Sequence, residues 1–369
     1  MNNQLPKRVL HVVTYMGRGG LETMIMNYYR HMDRSKVQFD FLVHRDFRAD
    51  YDDEIEDLGG RIFRLPRLVP WSGSYLNALE QFFRSHPEYK IVHVHQDCLS
   101  SVILKVAKKC GIPVRVAHSH SSSQDKNLKY LIKLWYKRTI PTCATQLFAC
   151  GKEAGDWMFS GAPYRVLNNA IDTKQYTYDP ERHCRIRTSL QIPEDAFVIG
   201  HVGRFHAVKN HSFLLDVFAE VKRKHEKAVL LLVGDGELRP EMEEKAEALG
   251  ISDSVVFTGV RSDVPDLMQT MDCFAFPSLY EGIPVTLIEA QAAGLPCTVS
   301  DGVPAECAKT GLVKHLPLTA GAANWAETIL KTENIPRQNT AGQIIQADYD
   351  IEANATWLQN FYLEQWKEA

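Results

Sequence analysis

The sequence predicts an α/β protein built as two doubly wound parallel-sheet domains. Three observations predict it. The chain has 369 residues, more than one ordinary core covers and suited to two domains of roughly 150–200 residues. Short apolar runs alternate with helical patterns along its length, and such alternation means parallel sheets covered by helices on both faces. The alternation comes in two series, separated by a polar stretch at 173–194 that contains Asp179-Pro180. That stretch reads as an interdomain connection.

In the first series the expected strands are 9–14, 39–43, 91–95, 114–117 and 147–149. The string Asn168-Asn169-Ala170-Ile171-Asp172 closes it. The second series has expected strands at 198–202, 229–233, 255–257, 273–276 and 297–300, with helical patterns at 212–225 and 239–249 between them. A final helix, 352–366, carries Trp357, Phe361 and Trp366, which need an apolar surface to pack on. The expected division is 1–175 together with a C-terminal helix at 350–369, and 190–345. Ligands of such sheets bind at the carboxyl ends of the strands, and the two sets of ends are expected to face each other across a cleft.

Composition narrows the function classes. Hydrophobic residues make up 45% and charged residues 24%, ordinary values for a globular protein. No run of about 18 apolar residues exists, so no membrane span is expected. The N-terminus enters a short strand-like run without the apolar core and cleavage site of a signal peptide. The eight cysteines are scattered without a C-x-x-C pair, so neither a zinc site nor a disulfide framework is indicated, and a reducing cytoplasm is expected. The net charge is −3, divided as +7 in residues 1–180 and −10 in the remainder. A basic half suggests an anionic partner, yet no nucleic-acid recognition motif is present.

The strongest local signal is Pro277-Ser278-Leu279-Tyr280-Glu281-Gly282-Ile283-Pro284-Val285-Thr286-Leu287-Ile288-Glu289-Ala290. It follows an expected strand and opens a helix near Thr286. Free N–H groups at a helix start make an anion site, and a carboxylate one or two turns in suits a ribose diol. Either glutamate alone reads as a solvated surface residue; the glycine and proline punctuation around both argues against that. After the strand at 198–202, Arg204 and Lys209 share a strand-to-helix loop, where two cations neutralise a diphosphate leaving group. Gly17-Arg18-Gly19-Gly20-Leu21-Glu22 approaches a dinucleotide fingerprint but has Glu22 where the third glycine belongs. Gly234-Asp235-Gly236 reads as turn chemistry first.

His93 and His95 lie near one strand end, and His118 and His120 near the next. A lone histidine is usually structural; two pairs at neighbouring carboxyl ends suggest sugar contacts and charge balance in a transition state. No carboxylate or cysteine stands at metal-ligand spacing beside them. Asp50-Tyr51-Asp52 and Asp348-Tyr349-Asp350 match the short D-x-D metal pattern but do not follow strands as that site requires, and read as loop residues. Lys126, Lys129, Lys133 and Lys137 recur on one helical face, with Leu128, Leu131, Ile132 and Trp135 opposite. The plain reading places the apolar stripe in the core and the lysines in water. The sharper one places the lysines on an anionic membrane surface.

Taken in order, Gly19-Gly20-Leu21-Glu22, Asn169-Ala170-Ile171-Asp172, Gly203-Arg204 with Lys209, Gly234-Asp235-Gly236 and Glu281-x7-Glu289 resemble the retaining glycosyltransferases of family 4, particularly bacterial enzymes of exopolysaccharide and capsule assembly. The resemblance runs from about Val9 to Glu289. It implies a GT-B fold: two Rossmann-like domains, donor on the second, acceptor on the first, and a last helix crossing back to the N-terminal domain. It further implies that Arg204 and Lys209 hold the donor diphosphate, with Gly20 approaching the phosphate. Glu289 holds the ribose. Glu281 and the backbone of Gly282, Ile283, Pro284, Val285, Thr286 and Leu287 hold the donor sugar and phosphates. The family's N-domain histidine falls on His118 or His120, and His118 is favoured as the strand-terminating residue. Ala170 departs from the glycine usual in its string, so that turn is expected to differ. Beyond Asp301 the match is loose.

The implied reaction is transfer with retention from a nucleotide-sugar, expected to be a UDP-sugar, to a lipid-linked oligosaccharide. No metal or other cofactor is expected, because Arg204, Lys209 and the helix dipole take the metal's place. The expected location is cytoplasmic, peripheral to the inner membrane face. Competing readings are a nucleotide-sugar epimerase on the same fold, a non-catalytic subunit of a polysaccharide assembly complex, and a nicotinamide oxidoreductase. The intact Arg204/Lys209/Glu281/Glu289 set argues against the second, and the broken glycine pattern at Glu22 against the third.

Overall fold

The computed structural model describes residues 5–121 and 130–369. Two compact units are present, residues 1–170 with 351–369, and residues 171–350. The first holds strands β1 (Lys7–Val12), β2 (Val37–Val43), β3 (Ile62–Arg64), β4 (Ile91–Val94), β5 (Val114–Ser119), β6 (Gln146–Ala149) and β7 (Arg165–Val166). They form one parallel sheet in the order β3-β2-β1-β4-β5-β6-β7. The second holds β8 (Phe197–Val202), β9 (Ala228–Val233), β10 (Val255–Phe257), β11 (Cys273–Phe276), β12 (Cys297–Val299) and β13 (Val313–His315), parallel in the order β10-β9-β8-β11-β12-β13. In each sheet the strand order reverses beside the first strand, between β1 and β4 and between β8 and β11. Such reversals leave crevices at the carboxyl ends of the strands, where ligands of open α/β sheets bind.

The strands are apolar on both faces because helices cover both. β2 is buried along its whole length, as is β8, the near-continuous burial expected of parallel sheets. Sequence patterning misses β3, β7 and β13. All three are edge strands of two or three residues, too short to show a period.

The stretch 173–194 is not a linker. It contributes the helices Thr173–Tyr176 and Pro180–Ser189 to the second unit. The Asp172 side chain caps the first by accepting from the Lys174 N–H, and Asp179 caps the second, with Pro180 in its first turn. Buried Arg187 anchors the second helix through Asp272 and the Thr270 carbonyl.

The C-terminal helix Ile351–Glu368 belongs to the first unit. Its fully buried face is Ile351, Ala355, Leu358 and Tyr362. The expected stripe of Trp357, Phe361 and Trp366 flanks that face and is only partly buried. Phe148 meets Phe361 at 5.2 Å and Trp357 at 5.9 Å between ring centres, and Arg165 stacks 3.7 Å over the Trp357 ring.

The helix Tyr130–Arg138 is turned opposite to expectation. Leu131, Ile132 and Trp135 are exposed, at 76%, 43% and 59%. Lys133 and Lys137 are half-buried; Lys137 donates to the Trp157 carbonyl and lies 4.5 Å over the Trp157 ring. Both lysines act electrostatically on the half-buried carboxylate of Asp97, which partial desolvation pushes up; a desolvated carboxylate favours cations turned toward it. Lys126, Lys129 and Leu128 lie outside the described residues. Among the described residues, no helix is long and apolar enough to cross a membrane.

Candidate functional site

In the second unit, the loop after β8 and the loop after β11 are joined at the sheet's reversal point. The Leu279 N–H donates to the Val208 carbonyl at 2.8 Å, and Asn210 Nδ2 to the Pro277 carbonyl at 3.2 Å. Asn210 takes a left-handed conformation, φ 56°, at the start of the helix His211–Lys224, which asparagine tolerates better than most residues. These contacts bring Lys209 to Glu281: Nζ and Oε1 are 2.7 Å apart, and both side chains are largely buried. Lys209 also lies 4.7 Å from the centre of the Phe276 ring. Arg204 points into solvent and pairs with Glu237 at 3.2 Å. The predicted cation pair is therefore present in one loop, each member held by a separate carboxylate.

Gly234-Asp235-Gly236 does more than turn the chain. Gly234 has φ 134°, and a Cβ there would stand 2.2 Å from the Gly203 carbonyl oxygen. The Phe205 N–H donates to the Asp235 carbonyl at 3.0 Å. Close backbone approach, possible only with glycine, fixes the loop that carries Arg204.

The helix Val285–Ala292 starts one residue before the expected position, with Pro284 as a cap lacking any side-chain acceptor. Leu287 N–H donates to the Pro284 carbonyl at 3.1 Å, and the N–H groups of Val285 and Thr286 before it have no side-chain cap, the arrangement that attracts anions. Gly282 is exposed, and Ile283, Val285 and Thr286 are half-buried, whereas Pro284 and Leu287 are buried. Glu281 is anchored through its own N–H to the Gly302 carbonyl at 2.9 Å. Glu289, on the second turn, accepts from the Tyr176 hydroxyl at 2.7 Å. Burial raises the Glu289 carboxyl to about 7, against the smaller opposing effect of the Tyr176 hydrogen bond. A carboxyl so displaced, beside a helix start without a side-chain cap, makes this loop a candidate binding site. Tyr176 escapes sequence reasoning because it lies 113 residues from its partner.

In the first unit the predicted histidines form a larger cluster than the sequence suggests. His11 of β1 joins them. His11 Nδ1 meets His95 Nε2 at 3.1 Å, and His95 Nδ1 meets His120 Nε2 at 2.9 Å. In parallel, the Tyr362 hydroxyl meets His93 Nδ1 at 2.6 Å, and His93 Nε2 meets His118 Nδ1 at 3.1 Å. Burial lowers His11 and His120 to about 3 and His93, His95 and His118 well below the ordinary range. All five rings are thus neutral near pH 7, each with one donor and one acceptor nitrogen. His118 lies within β5, one residue before its end, and is buried. His120, just past the strand, is half-buried next to exposed Ser121. His11 had a sequence signal: a ring nitrogen inside the apolar run Val9-Leu10-His11-Val12-Val13, in register with His93.

Gly20 opens the helix Gly20–Arg30, and a Cβ there would meet nothing within 4 Å. The space beside it is free for a ligand group. Ala170 is buried and not among the residues with positive φ; its carbonyl accepts from Asn27 Nδ2 at 3.3 Å. The expected departure of that turn is accommodated without left-handed strain at alanine. Neither D-x-D string is placed for a metal. Asp52 is buried against Arg64 at 2.5 Å. Asp350 pairs with Ile171 in an isolated bridge and accepts from Thr173 at 3.1 Å, with Tyr349 buried between the two aspartates.

Known proteins resemble this chain in sequence and in fold. The family model described as glycosyl transferases group 1 matches residues 184–336, and glycosyltransferase family 4 matches residues 18–175. EpsF of Bacillus subtilis (strain 168), named as a glycosyltransferase, is 39% identical over 373 residues, covering 98% of this chain and 97% of its own. An Escherichia coli UDP-Gal:alpha-D-GlcNAc-diphosphoundecaprenol alpha-1,3-galactosyltransferase is 26% identical over 226 residues, 58% of each chain. Among solved structures, Anabaena Alr3699/HepE in complex with UDP and glucose superposes with a TM-score of 0.76 at 18% identity, over 97% of this chain and 100% of its own. WaaG, a glycosyltransferase involved in lipopolysaccharide biosynthesis, superposes at 0.69 and 15%, over 96% and 99%. The fold is GT-B.

Proposed function

The chain belongs to the family 4 glycosyltransferases, and from that premise we propose that it transfers a hexosyl or N-acetylhexosaminyl group from a UDP-sugar to a lipid-linked oligosaccharide of exopolysaccharide or capsule assembly, with retention at the anomeric carbon. One observation carries the reading. At the reversal point of the second sheet, Lys209, Glu281 and the uncapped helix start stand together, with Glu289 one turn further in. This set suits a sugar diphosphate joined to a ribose and has no purpose in a protein that only binds partners.

In this reading the bond from the anomeric carbon to the diphosphate oxygen breaks while the acceptor hydroxyl attacks on the same face. The acceptor proton passes to the departing phosphate oxygen. Arg204, Lys209 and the helix N–H groups stabilise the charge that develops there. They do so in place of a divalent ion, so transfer is metal-independent. The carboxylates that hold the two cations, Glu237 and Glu281, yield them to the diphosphate. Arg204 is released at little cost, since an exposed pair contributes about 0–1 kcal/mol. Glu281 is then free for the donor sugar, Glu289 grips the ribose, and His118 or His120 serves the sugar hydroxyls from the N-terminal unit.

The UDP-sugar and lipid-linked acceptor are supported by the names of the Escherichia coli relative and the HepE complex. Peripheral attachment to the cytoplasmic membrane face is supported by the outward Leu131, Ile132 and Trp135 rather than by the lysines of that helix. The test is a donor screen that follows nucleotide release with and without membrane extract. Release that depends on the extract supports transfer to a membrane-borne acceptor. Conversion of a donor without acceptor supports the epimerase instead.

A further inference from the structure

The five-histidine cluster contains more ligand capacity than a sugar contact needs. One nitrogen each of His95, His118 and His120 lies within 4.8 Å of the others, and the His118 and His120 rings are 4.1 Å apart between centres. His118 Nε2 is buried without a hydrogen-bond partner. Buried polar atoms are nearly always paired, so unpaired ones want a reason. The remaining nitrogens are bound as the outer partners of a metal site are. His118 Nδ1 is tied to His93, which is tied in turn to Tyr362, and His95 Nε2 is tied to His11. Ligating imidazoles engage their second nitrogen in this way, which fixes tautomer and ring orientation.

We propose that His95, His118 and His120 bind one divalent ion of the zinc and cobalt class. His118 contributes Nε2, and His95 and His120 contribute Nδ1 and Nε2, the pair now 2.9 Å apart. Tetrahedral ligation spreads such nitrogens to about 3.3 Å, a small opening of the present pair. The proton they share moves to His120 Nδ1, so the rings remain neutral, the form that ligates. A second trio, His11, His93 and His95, has suitable spacing but is buried throughout. His120 is half-buried and stands beside exposed Ser121, so the trio that includes it lies nearer the surface. Imidazole ligands without carboxylates favour zinc, cobalt, nickel or copper over magnesium and calcium. The site belongs to the first unit and the diphosphate groups to the second.

The experiment uses full-length, tag-free protein stripped with chelator and titrated with Co²⁺ by visible absorption, then with Zn²⁺ in competition. The expected result is one Co²⁺ per chain with a tetrahedral d–d spectrum, displaced by one Zn²⁺. His120→Ala, at the half-buried rim and least disruptive to folding, weakens binding at least 100-fold, and His95→Gln does the same. His93→Gln removes only an outer partner and weakens it about 10–100-fold. The proposal is overturned if no stoichiometric ion binds. It is equally overturned if binding survives His120→Ala intact but is lost in His11→Gln, which assigns the ion to the other trio. Binding is read directly, so neither result depends on finding the donor or acceptor.

Discussion

Replacing Glu289 by glutamine should make the unliganded protein more stable above neutral pH while making it worse at its task. The native carboxyl titrates at about 7 instead of 4.5 because burial disfavours its ionised form. Between those values the native state therefore binds more protons than the unfolded chain. Stability from this group then falls as pH rises through the window from 4.5 to 7. Each unit is worth 1.36 kcal/mol, so by pH 8 the ionised, buried carboxylate costs about 3 kcal/mol. Glutamine has nearly the same shape, keeps an oxygen to accept from Tyr176 and cannot ionise. The variant should match the wild type at pH 4 and exceed it by about 3 kcal/mol at pH 8. For a unit of this size that is roughly 6–12 °C in melting temperature.

The assay is thermal unfolding of both proteins at pH 4 and pH 8 without nucleotide, with calorimetric titration by UDP alongside. Glutamine presents an amide N–H₂ where the ribose diol wants an acceptor, and loses a charged hydrogen bond worth about 1.5–3 kcal/mol. UDP affinity should fall about 10–100-fold. Wild-type affinity should also rise with pH up to about 7 as the carboxyl ionises, a slope that the variant lacks. A stability difference independent of pH refutes the reasoning, because it means that Glu289 has an ordinary carboxyl in contact with water. Unchanged UDP affinity refutes the ribose assignment separately.

Arg204→Ala and Lys209→Ala should each lower turnover about 10²-fold, read as initial rates at saturating donor; near-normal rates in both would remove them from the diphosphate site. Activity should persist in excess EDTA, and loss that manganese or magnesium restores would show a metal at the diphosphate after all. Gly234→Ala should destabilise the second unit by about 2 kcal/mol or more in denaturant unfolding, since its Cβ would stand 2.2 Å from the Gly203 carbonyl at a φ that L-residues avoid; an unchanged midpoint would contradict the close approach. Leu131→Ser with Trp135→Ser should reduce co-sedimentation with liposomes, while Lys133→Glu, which removes a partner of Asp97, should act mainly on stability; binding that ignores both changes removes the membrane from the proposal.

The groups of the proposed donor site are legible because their chemistry is contiguous. Glu281 and Glu289 lie in one strand–loop–helix unit, and a period of strand followed by a period of helix is written in the residues themselves. Lys209 needs only the knowledge that β8 and β11 are neighbours, which the doubly wound order supplies. What the sequence hides is pairing across long separations. Tyr176 reaches Glu289 across 113 residues, and His11 reaches His95 across 84. The misread stretch 173–194 is a different failure. Its polarity suggested a linker, although Asp172 and Asp179-Pro180 carry legible helix-start chemistry, and caps are better evidence than polarity about whether a segment folds.

The helix Tyr130–Arg138 shows where amphipathic pattern stops being informative. Its two faces are distinct in the sequence, and the pattern alone assigns the apolar one to the core. The turned helix faces Asp97, a half-buried carboxylate at positive φ whose partial desolvation comes from the packing around it and not from its neighbours in sequence. With that charge partly desolvated, turning Lys133 and Lys137 toward it offsets its desolvation, and Leu131, Ile132 and Trp135 are left outside. Hydrophobic burial of such residues is worth about 1.5–3 kcal/mol each, so exposing three of them is a substantial sacrifice for the electrostatic effect on Asp97 alone. The same exposure is recovered if that face enters a lipid surface, which is why the inverted helix supports the membrane reading better than the lysine face that first suggested it.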